Sequence, residues 1–260
     1  MRWGLRLLGL MAALGMAKWA IDDSYQKTLQ GVVWDKGCDK VWAHRGRLAN
    51  DPPNTLASAE RLLLRGAKGL ELDIHYDPVE QRFWVIHDDP TAQDKQQRDT
   101  LDAFLSLLGP QGLGLWLDAK NFGSLAPWHA VKAADRLQQL LALYAPQSRV
   151  FVESRNPLYL LLLKQRGVGT SYLISPNAKH ASAVFWLNVY WMKWSYTWGP
   201  FDALSMDIGR YNDRVKTVFG EVPLLLSTIN QQDVMAPLIA QRHVIAILTD
   251  ANLLQLGQCP

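Results

Sequence analysis

The sequence lacks a marked excess of charge of either sign. Its formal net charge is +3 over 260 residues, and its lysines and arginines do not cluster into a basic run. Proteins that bind nucleic acid usually carry such a basic patch or stripe, so we expect no nucleic-acid partner. The sequence also has little that would divide it: we find no internal repeat, low-complexity tract or interdomain linker. It therefore predicts one domain over residues 38–260.

The chain has no apolar run long enough to be an unambiguous membrane span. The N-terminal run, residues 7–17, is shorter than the about 20 residues that a span requires, and Lys18 interrupts it. Arg2 and Arg6 precede it, as in a signal peptide. We expect residues 1–21 to be a signal peptide or a membrane anchor. A helix packed on the domain is less favoured, because these three cations leave no clean polar face.

Export follows from either interpretation of the leader. We therefore expect the domain to be periplasmic or extracellular, or anchored and facing outward.

Cysteine is scarce, with only Cys38 and Cys259 present. In a barrel both would lie at the N-terminal face of the strands, so a disulfide between them is sterically sensible, and an exported compartment permits it. Two unpaired thiols are the alternative.

What the chain does contain is a regular alternation of short apolar runs, rich in Val, Ile and Leu, with longer helical patterns. Hydrophobic residues make up 48% of the chain and charged residues 20%, which is typical of a folded domain. Eight β/α repeats predict a (β/α)₈ TIM barrel, with a doubly wound open sheet as the alternative. Residues 82–88 predict an extra hairpin strand above the barrel. The eight barrel strands are expected at 41–46, 69–75, 114–120, 150–154, 171–175, 203–208, 222–227 and 244–249. Helices are expected near 56–66, 99–108, 128–144, 157–166, 178–195, 212–219 and 231–242, with a short closing helix near 251–256.

Acidic side chains gather where predicted strands end, which is where barrel enzymes place their active sites. Residues two apart on a strand share a face, so Glu71 and Asp73 point the same way, as do Asp118 and Lys120. Three converging carboxylates repel one another unless a cation neutralises them. Carboxylates favour hard divalent ions, so Glu71, Asp73 and Asp118 predict a Mg²⁺ or Ca²⁺ site. The alternative is a structural network in which the acids pair with Arg45 and Lys120.

Two histidines at predicted strand ends complete a set of groups suited to phosphodiester cleavage. The reaction needs a base to activate a nucleophile and an acid to protonate the leaving oxygen, and histidine can do either near neutral pH. We assign these roles to His44 and His87. Arg45 and Lys120 would contact the substrate phosphate and offset its charge.

These residues lie in strings that resemble the glycerophosphodiester phosphodiesterase family, within the phosphatidylinositol phospholipase C-like superfamily. The resemblance implies a barrel, a divalent cation held by Glu71, Asp73 and Asp118, and acid–base catalysis by His44 and His87. It is densest over residues 41–89 and returns near the end of the chain. The matching strings are Ala43-His44-Arg45-Gly46, Pro53-Asn54-Thr55, Gly66-Ala67, Glu71-Leu72-Asp73-Ile74-His75, Val85-Ile86-His87-Asp88, Leu117-Asp118-Ala119-Lys120 and Leu248-Thr249-Asp250.

The sequence departs from the family pattern in three ways. Pro53 stands where the family usually has Glu, so any role of that acid is lost. Asp118 stands where the third ligand is usually Glu, and its Asp-x-Lys arrangement is similar to the sphingomyelinase and phospholipase D branch of the superfamily. The stretch between His87 and Asp118 is short, which predicts a small cap and an open site that could admit a lipid substrate.

An aromatic segment at residues 185–201 is the remaining feature. Trp186, Tyr190, Trp194 and Trp198 are spaced by four, which favours a helix packing an aromatic face on the barrel. A membrane-surface contact, through this segment or the leader, is the alternative.

We expect an enzyme that hydrolyses a small glycerophosphodiester to an alcohol and glycerol phosphate. The alternatives are a phospholipase D or lysophospholipase type of enzyme acting on lipid headgroups, and a non-catalytic barrel that serves as a binding module.

Overall fold

A computed structural model describes residues 2–30, 38–90, 97–145, 149–176, 182–199 and 201–259. Strands and helices alternate along this chain. The strands are β1 Val41–Ala43, β2 Gly69–Asp77, β3 Arg82–Val85, β4 Gly114–Ala119, β5 Val150–Ser154, β6 Thr170–Leu173, β7 Ala203–Asp207, β8 Leu224–Ser227 and β9 Val244–Thr249. The helices are α1 Arg2–Gln30, α2 Leu56–Leu64, α3 Leu101–Leu108, α4 Pro127–Tyr144, α5 Pro157–Lys164, α6 Ser182–Trp198, α7 Asp213–Phe219 and α8 Gln232–Ile239.

Eight of the strands form a closed parallel barrel. The sheet order runs β1-β9-β8-β7-β6-β5-β4-β2, and β1 also pairs with β2, with Ala43 opposite Leu70, which closes the cylinder. β3 pairs antiparallel with β2 and belongs to the predicted hairpin. The (β/α)₈ prediction is confirmed, and the open doubly wound sheet is wrong because an open sheet leaves its first and last strands unpaired.

Glycines at the start of two strands show which face of each strand lies inside the barrel. A Cβ atom at Gly69 would come within 2.5 Å of the Trp42 indole, and a Cβ atom at Gly114 would come within 2.2 Å of it. Trp42 packs with Trp116 and Phe151 in a cluster of their own inside the barrel. Because side chains alternate along a strand, the residues at steps of two from these glycines face the barrel interior. The bottom of the barrel is therefore aromatic, and its top is left for the acids.

The first strand is shorter than expected. It ends at Ala43, and His44–Gly46 form a 3₁₀ turn instead of continuing the strand. Arg45 and Gly46 have φ angles of 54° and 59°, and this left-handed conformation cannot extend a strand. The predicted strand at 222–227 starts two residues late, at Leu224, because Pro223 has no N–H with which to join the ladder.

The expected closing helix near 251–256 is wrong, since these residues form turns. The Thr249 hydroxyl accepts a hydrogen bond from the backbone N–H of Ala251, which stabilises a turn in place of a helix start. The helix expected at 178–195 is α6, and it runs to Trp198. Residues 177–181 lie outside the described part of the chain.

The N-terminal segment forms one helix, α1, that continues beyond residue 21 and docks on α6. Tyr25 is fully buried, and its hydroxyl donates to the Phe219 carbonyl at 2.9 Å. Asp22 accepts a hydrogen bond from the Lys193 ammonium at 2.7 Å. Within the described residues, no helix has both the length and the hydropathy that crossing a membrane requires. The signal-peptide and anchor interpretations stay predictions.

Cys38 and Cys259 form the disulfide considered from the sequence. Their Cα atoms are 5.0 Å apart, and the bond joins positions 221 residues apart. The backbone N–H of Asp39 also donates to the Gly257 carbonyl. The covalent link thus ties the start of β1 to the last turn of the chain, at the barrel face opposite the carboxyl ends of the strands.

Candidate active site

Three carboxylates converge inside the top of the barrel. The register of β2 and β4 places Asp73 directly opposite Asp118, and Glu71 lies one interior step below Asp73. One oxygen from each of the three acids lies within 4.8 Å of the others. The parity argument from the sequence is therefore correct about which acids meet. Leu70, which alternates with them, packs in the core between the strands and the helices.

Glu71 is held by the left-handed turn that ends β1. The backbone N–H of Arg45 donates to Glu71 Oε2 at 2.7 Å, and Glu71 is only 2% exposed. Burial, together with the negative charges of Asp73 and Asp118, raises the pKa of Glu71 well above its usual range. No Lys or Arg side chain forms an ion pair with Glu71 in the described ranges. Without a basic partner among these residues, the charge of Glu71 is offset by a proton or by a bound cation.

Asp73 is fully engaged by its neighbours. The Asn54 side chain donates to Asp73 Oδ2 at 2.8 Å and accepts from the Asp73 backbone N–H at 3.2 Å. Arg45 Nε and Lys120 Nζ lie 3.2 Å and 2.7 Å from the two Asp73 oxygens. Burial alone would raise the pKa of Asp73, but Lys120, Asn54 and Arg45 together hold it below its usual range. Asp73 is therefore ionised at neutral pH.

Lys120 bridges two of the acids, since its ammonium pairs with both Asp73 and Asp118. Burial opposes its charge, yet the two carboxylates raise its pKa. Burial also raises the pKa of Asp118, although Lys120 opposes that shift. The ion network considered as an alternative is thus present at Asp73 and Asp118 and leaves Glu71 out. An all-oxygen donor set, in which Glu71 has no basic partner among the described residues, fits a hard divalent cation that would take the place of the proton on Glu71.

His44 is oriented by an acid from the far end of the chain. Its Nδ1 lies 3.1 Å from Asp250 Oδ1, and its Nε2 lies 3.9 Å from Glu71 Oε2. Arg47 Nη2 also contacts Asp250, at 3.2 Å. Burial lowers the pKa of His44, although the charge of Asp250 opposes that shift. If Nδ1–H donates to Asp250, Nε2 is a neutral acceptor that faces the carboxylates.

His87 lies in the loop after β3, and its side chain is 43% exposed. Its Nδ1 is 2.8 Å from Asp88 Oδ1, and its backbone carbonyl is 3.1 Å from Nε2 of the buried His75. It shares a cavity of about 260 Å³ with Arg45, Asn54 and other residues at the barrel mouth. The site residues expected from the sequence thus lie at one rim, with His87 and Arg45 on its solvent side.

Sequence reasoning missed three residues of this site. Asn54 and Asp250 appeared only as parts of matching strings, with no role assigned. Glu153 was not considered, although it is the register partner of Asp118 on β5 and is 4% exposed. The alternation of Phe151 and Glu153 with valines along β5 was the available signal, because it places an acid inside the barrel. Burial and the charge of Asp118 raise the pKa of Glu153 to about 8.

Comparisons with known proteins place this geometry among solved structures. No protein-family model matches the chain, and no curated protein sequence matches it. Solved structures do match.

A phosphodiesterase from Oleispira antarctica, solved with the product sn-glycerol-3-phosphate, is 19% identical, with a TM-score of 0.63 over 82% of this chain and 93% of that one. A putative glycerophosphoryl diester phosphodiesterase from Silicibacter pomeroyi is 14% identical, with a TM-score of 0.62 over 86% and 94%. A glycerophosphodiester phosphodiesterase from Thermotoga maritima is 18% identical, with a TM-score of 0.60 over 81% and 93%. At these identities the likeness establishes the fold: the chain has the (β/α)₈ barrel of solved glycerophosphodiester phosphodiesterases.

Proposed function

We propose that this protein is a metal-dependent phosphodiesterase that hydrolyses glycerophosphodiesters to an alcohol and glycerol phosphate. The observation that carries the proposal is the meeting of Glu71, Asp73 and Asp118 within 4.8 Å at the barrel rim, with His44 beside them. The structural neighbours named above, which bear this activity in their names, support the same reaction class.

His44 is suited to be the base and His87 the acid. With its Nδ1 turned to Asp250, the Nε2 of His44 can accept a proton from the attacking nucleophile. The nucleophile is water, or a neighbouring substrate hydroxyl that forms a cyclic phosphate, which water then opens to glycerol phosphate. As the nucleophile bonds to phosphorus, the bond from phosphorus to the leaving oxygen breaks. His87, on the open side of the rim, donates a proton to that oxygen and releases the alcohol.

The cations of the chain hold the substrate phosphate. Arg45 lines the mouth cavity, and Lys120 contacts the same carboxylate, Asp73, as Arg45 does, so both are suited to contact the phosphoryl oxygens. Glu71, Asp73 and Asp118 would hold the divalent ion, Mg²⁺ or Ca²⁺. When bound, this ion offsets phosphoryl charge and lowers the pKa of the attacking hydroxyl.

We also propose that the protein is exported and contacts a membrane surface. The signal-peptide pattern in residues 1–21 supports export. The contact is supported by exposed apolar side chains on α1 and α6, among them Leu14, Trp19, Trp191 and Trp198. Trp residues favour the membrane–water interface. The site could then act on lipid headgroups as well as on soluble diesters.

A panel of phosphodiesters, assayed with EDTA and with metal add-back, tests the proposal. We expect hydrolysis of glycerophosphocholine that EDTA abolishes and that Mg²⁺ or Ca²⁺ restores. His44→Ala should lose activity, by about 10²–10⁴-fold for a lost acid–base group. His243→Gln is the matched control, because His243 precedes β9 at the opposite face of the barrel. Equal activity of His44→Ala and wild type across the panel would favour the binding-module alternative.

A further inference from the structure

A second cavity, of about 540 Å³, lies beside the barrel mouth. One side is formed by the chain after β4 and β5, including Gly123 and Arg155. The other side is formed by three indoles of α6, those of Trp191, Trp194 and Trp198. Its volume lies within the range of about 300–1,000 Å³ that is typical of small-molecule sites.

The cavity is at the same rim as the carboxylates. Gly123 follows Lys120 by three residues, and Arg155 follows Glu153 by two. Glu153 is the register partner of Asp118. Because the carboxyl ends of parallel strands meet at one rim, a molecule whose phosphodiester lies at the carboxylates can extend toward this cavity.

The three indoles do not belong to the core. α6 buries its other face, with Phe185, Val189 and Tyr196 all fully buried. By contrast, Trp191, Trp194 and Trp198 are 54%, 43% and 62% exposed. They form a row, with ring centroids 5.3 Å and 6.0 Å apart. A contiguous exposed apolar surface of this kind is typical of an interaction site, such as a ligand-binding groove.

One cation borders the apolar cavity. Arg155 is exposed, and its guanidinium forms no ion pair with the residues the structure describes. An apolar groove with an exposed cation on its border is complementary to an amphiphile that carries an anionic group beside a hydrocarbon chain. A lysophospholipid has this pattern, because its phosphodiester and its single acyl chain share one glycerol.

We propose that the indole-lined cavity binds the acyl chain of a lysophospholipid whose phosphodiester is cleaved at the carboxylate site. This inference rests on the proposed function. The oxygen of water bonds to phosphorus while the bond from phosphorus to the headgroup oxygen breaks. One proton of water goes to the headgroup alcohol and the other is released from the new phosphate group, so the products are lysophosphatidic acid and the free alcohol.

A chain-length series tests the inference with the headgroup held constant. The substrates are glycerophosphocholine and its octanoyl, decanoyl and lauroyl monoesters, each assayed below its micelle concentration with the activating metal. Burying a methylene is worth about 0.8 kcal/mol, so kcat/KM should rise up to about fourfold per added methylene until the cavity is full. A flat series, with all substrates hydrolysed equally, would overturn the inference and leave the proposed function standing.

Two matched variants of α6 locate the effect. Trp194→Ser removes an indole that lines the cavity, and Trp186→Ser removes an indole of similar exposure, 40%, that does not line it. Trp194→Ser should lower kcat/KM for the lauroyl ester at least about tenfold, the equivalent of about 1.4 kcal/mol, and leave glycerophosphocholine unchanged. Trp186→Ser should change neither. Equal losses in both variants would indicate a general membrane-contact surface and overturn the cavity assignment.

A binding measurement separates failure of the inference from failure of the proposed function. A lysophosphatidylcholine with a brominated acyl chain should quench the fluorescence of wild type and of Trp186→Ser more than that of Trp194→Ser. Such quenching without hydrolysis of any diester would support the acyl site and reject the phosphodiesterase. Hydrolysis of glycerophosphocholine without preferential quenching would support the phosphodiesterase and reject the acyl site.

Discussion

At the scale of single residues, the site depends on side chains that hold other side chains. The Asn54 side chain forms hydrogen bonds with both the carboxylate and the backbone N–H of Asp73. The backbone of Asn54 is itself left-handed, with a φ angle of 56°. Asn is among the few residues other than Gly that tolerate this conformation. In the same way, Asp250 orients the ring of His44 through its contact with Nδ1. Removing either one should disturb the geometry without removing a reacting group.

Asp250→Asn should impair His44 as a base. Asp250 accepts from Nδ1 of His44 and its charge raises the pKa of that ring against the effect of burial. Without the charge, the pKa of His44 falls, so the acidic limb of the pH–rate profile should move to lower pH. We expect kcat to fall by about 10²-fold or more, as when other oriented acid–base pairs lose their geometry. A lower kcat with an unmoved acidic limb would contradict this role, and Asp213→Asn on the surface of α7 is the control.

Glu153→Gln should change how stability depends on pH in the chelated protein. Burial raises the pKa of Glu153 from 4.5 to about 8, so the folded state keeps a proton that the unfolded chain releases. The resulting stability is complete below pH 4.5 and is lost as the pH rises toward 8. Gln stays uncharged, so the variant should resist urea better than wild type at pH 8 and similarly at pH 4.5. Glu60→Gln, at an exposed position on α2, should show no such difference.

At the scale of elements, two features place the chemistry. The short β1 ends in a left-handed turn, and that turn directs the Arg45 N–H onto Glu71. The long β2 carries Glu71 and Asp73 on its interior face and then forms the hairpin that leads to His87. α1 is the third notable element, because its last turns are built into the domain by Tyr25 and Asp22.

Asp22→Ala should loosen α1 from α6. Asp22 pairs with Lys193, whose side chain is only 8% exposed, so the variant leaves a buried ammonium without its acceptor. We expect the free energy of unfolding to fall by about 1–3 kcal/mol. Asp23→Ala breaks the neighbouring surface pair with Lys27 and should cost less than about 1 kcal/mol.

Urea unfolding followed by circular dichroism measures both Asp22→Ala and Asp23→Ala. Adding Lys193→Met to Asp22→Ala should recover part of the loss, since it removes the unpaired charge. Equal costs for the two single variants would show that α1 does not dock through Asp22.

At the scale of the whole molecule, closure is both non-covalent and covalent. The pairing of β1 with β2 and β9 closes the sheet, and the Cys38–Cys259 bond links the two ends of the domain. The link lies at the face opposite the active site. It should therefore govern stability far more than catalysis.

The variant with both Cys38→Ser and Cys259→Ser should unfold more easily. A bond that spans 221 residues constrains the unfolded chain strongly, and its loss should cost about 2–5 kcal/mol. The readout is the urea midpoint of wild type and variant under oxidising conditions, with KM for glycerophosphocholine measured alongside. An unchanged midpoint would mean that the disulfide adds nothing to the closed barrel, and a raised KM would mean that the link reaches the active site.

Much of the fold and the cluster of three acids could be predicted from the sequence, because both depend on patterns within single elements. Alternation along β2 and β4 places Glu71, Asp73 and Asp118 on interior faces whatever the partners are, and eight β/α repeats of this length favour a barrel. The prediction of a closing helix near 251–256 was wrong, because a turn hydrogen bond at Thr249 outweighed a weak helical pattern.

The sequence by itself determined which residues face the barrel interior and which strand ends carry polar groups, since backbone alternation is a local property. Only the tertiary structure decided which distant residues meet. Strand register, barrel closure and left-handed turns bring these residues together. They account for the contact of Asp250 with His44, the hydrogen bonds of Asn54 to Asp73, the pairing of Glu153 with Asp118 and the indole cavity. These contacts join positions up to 206 residues apart, and no local pattern in the chain encodes such a distance.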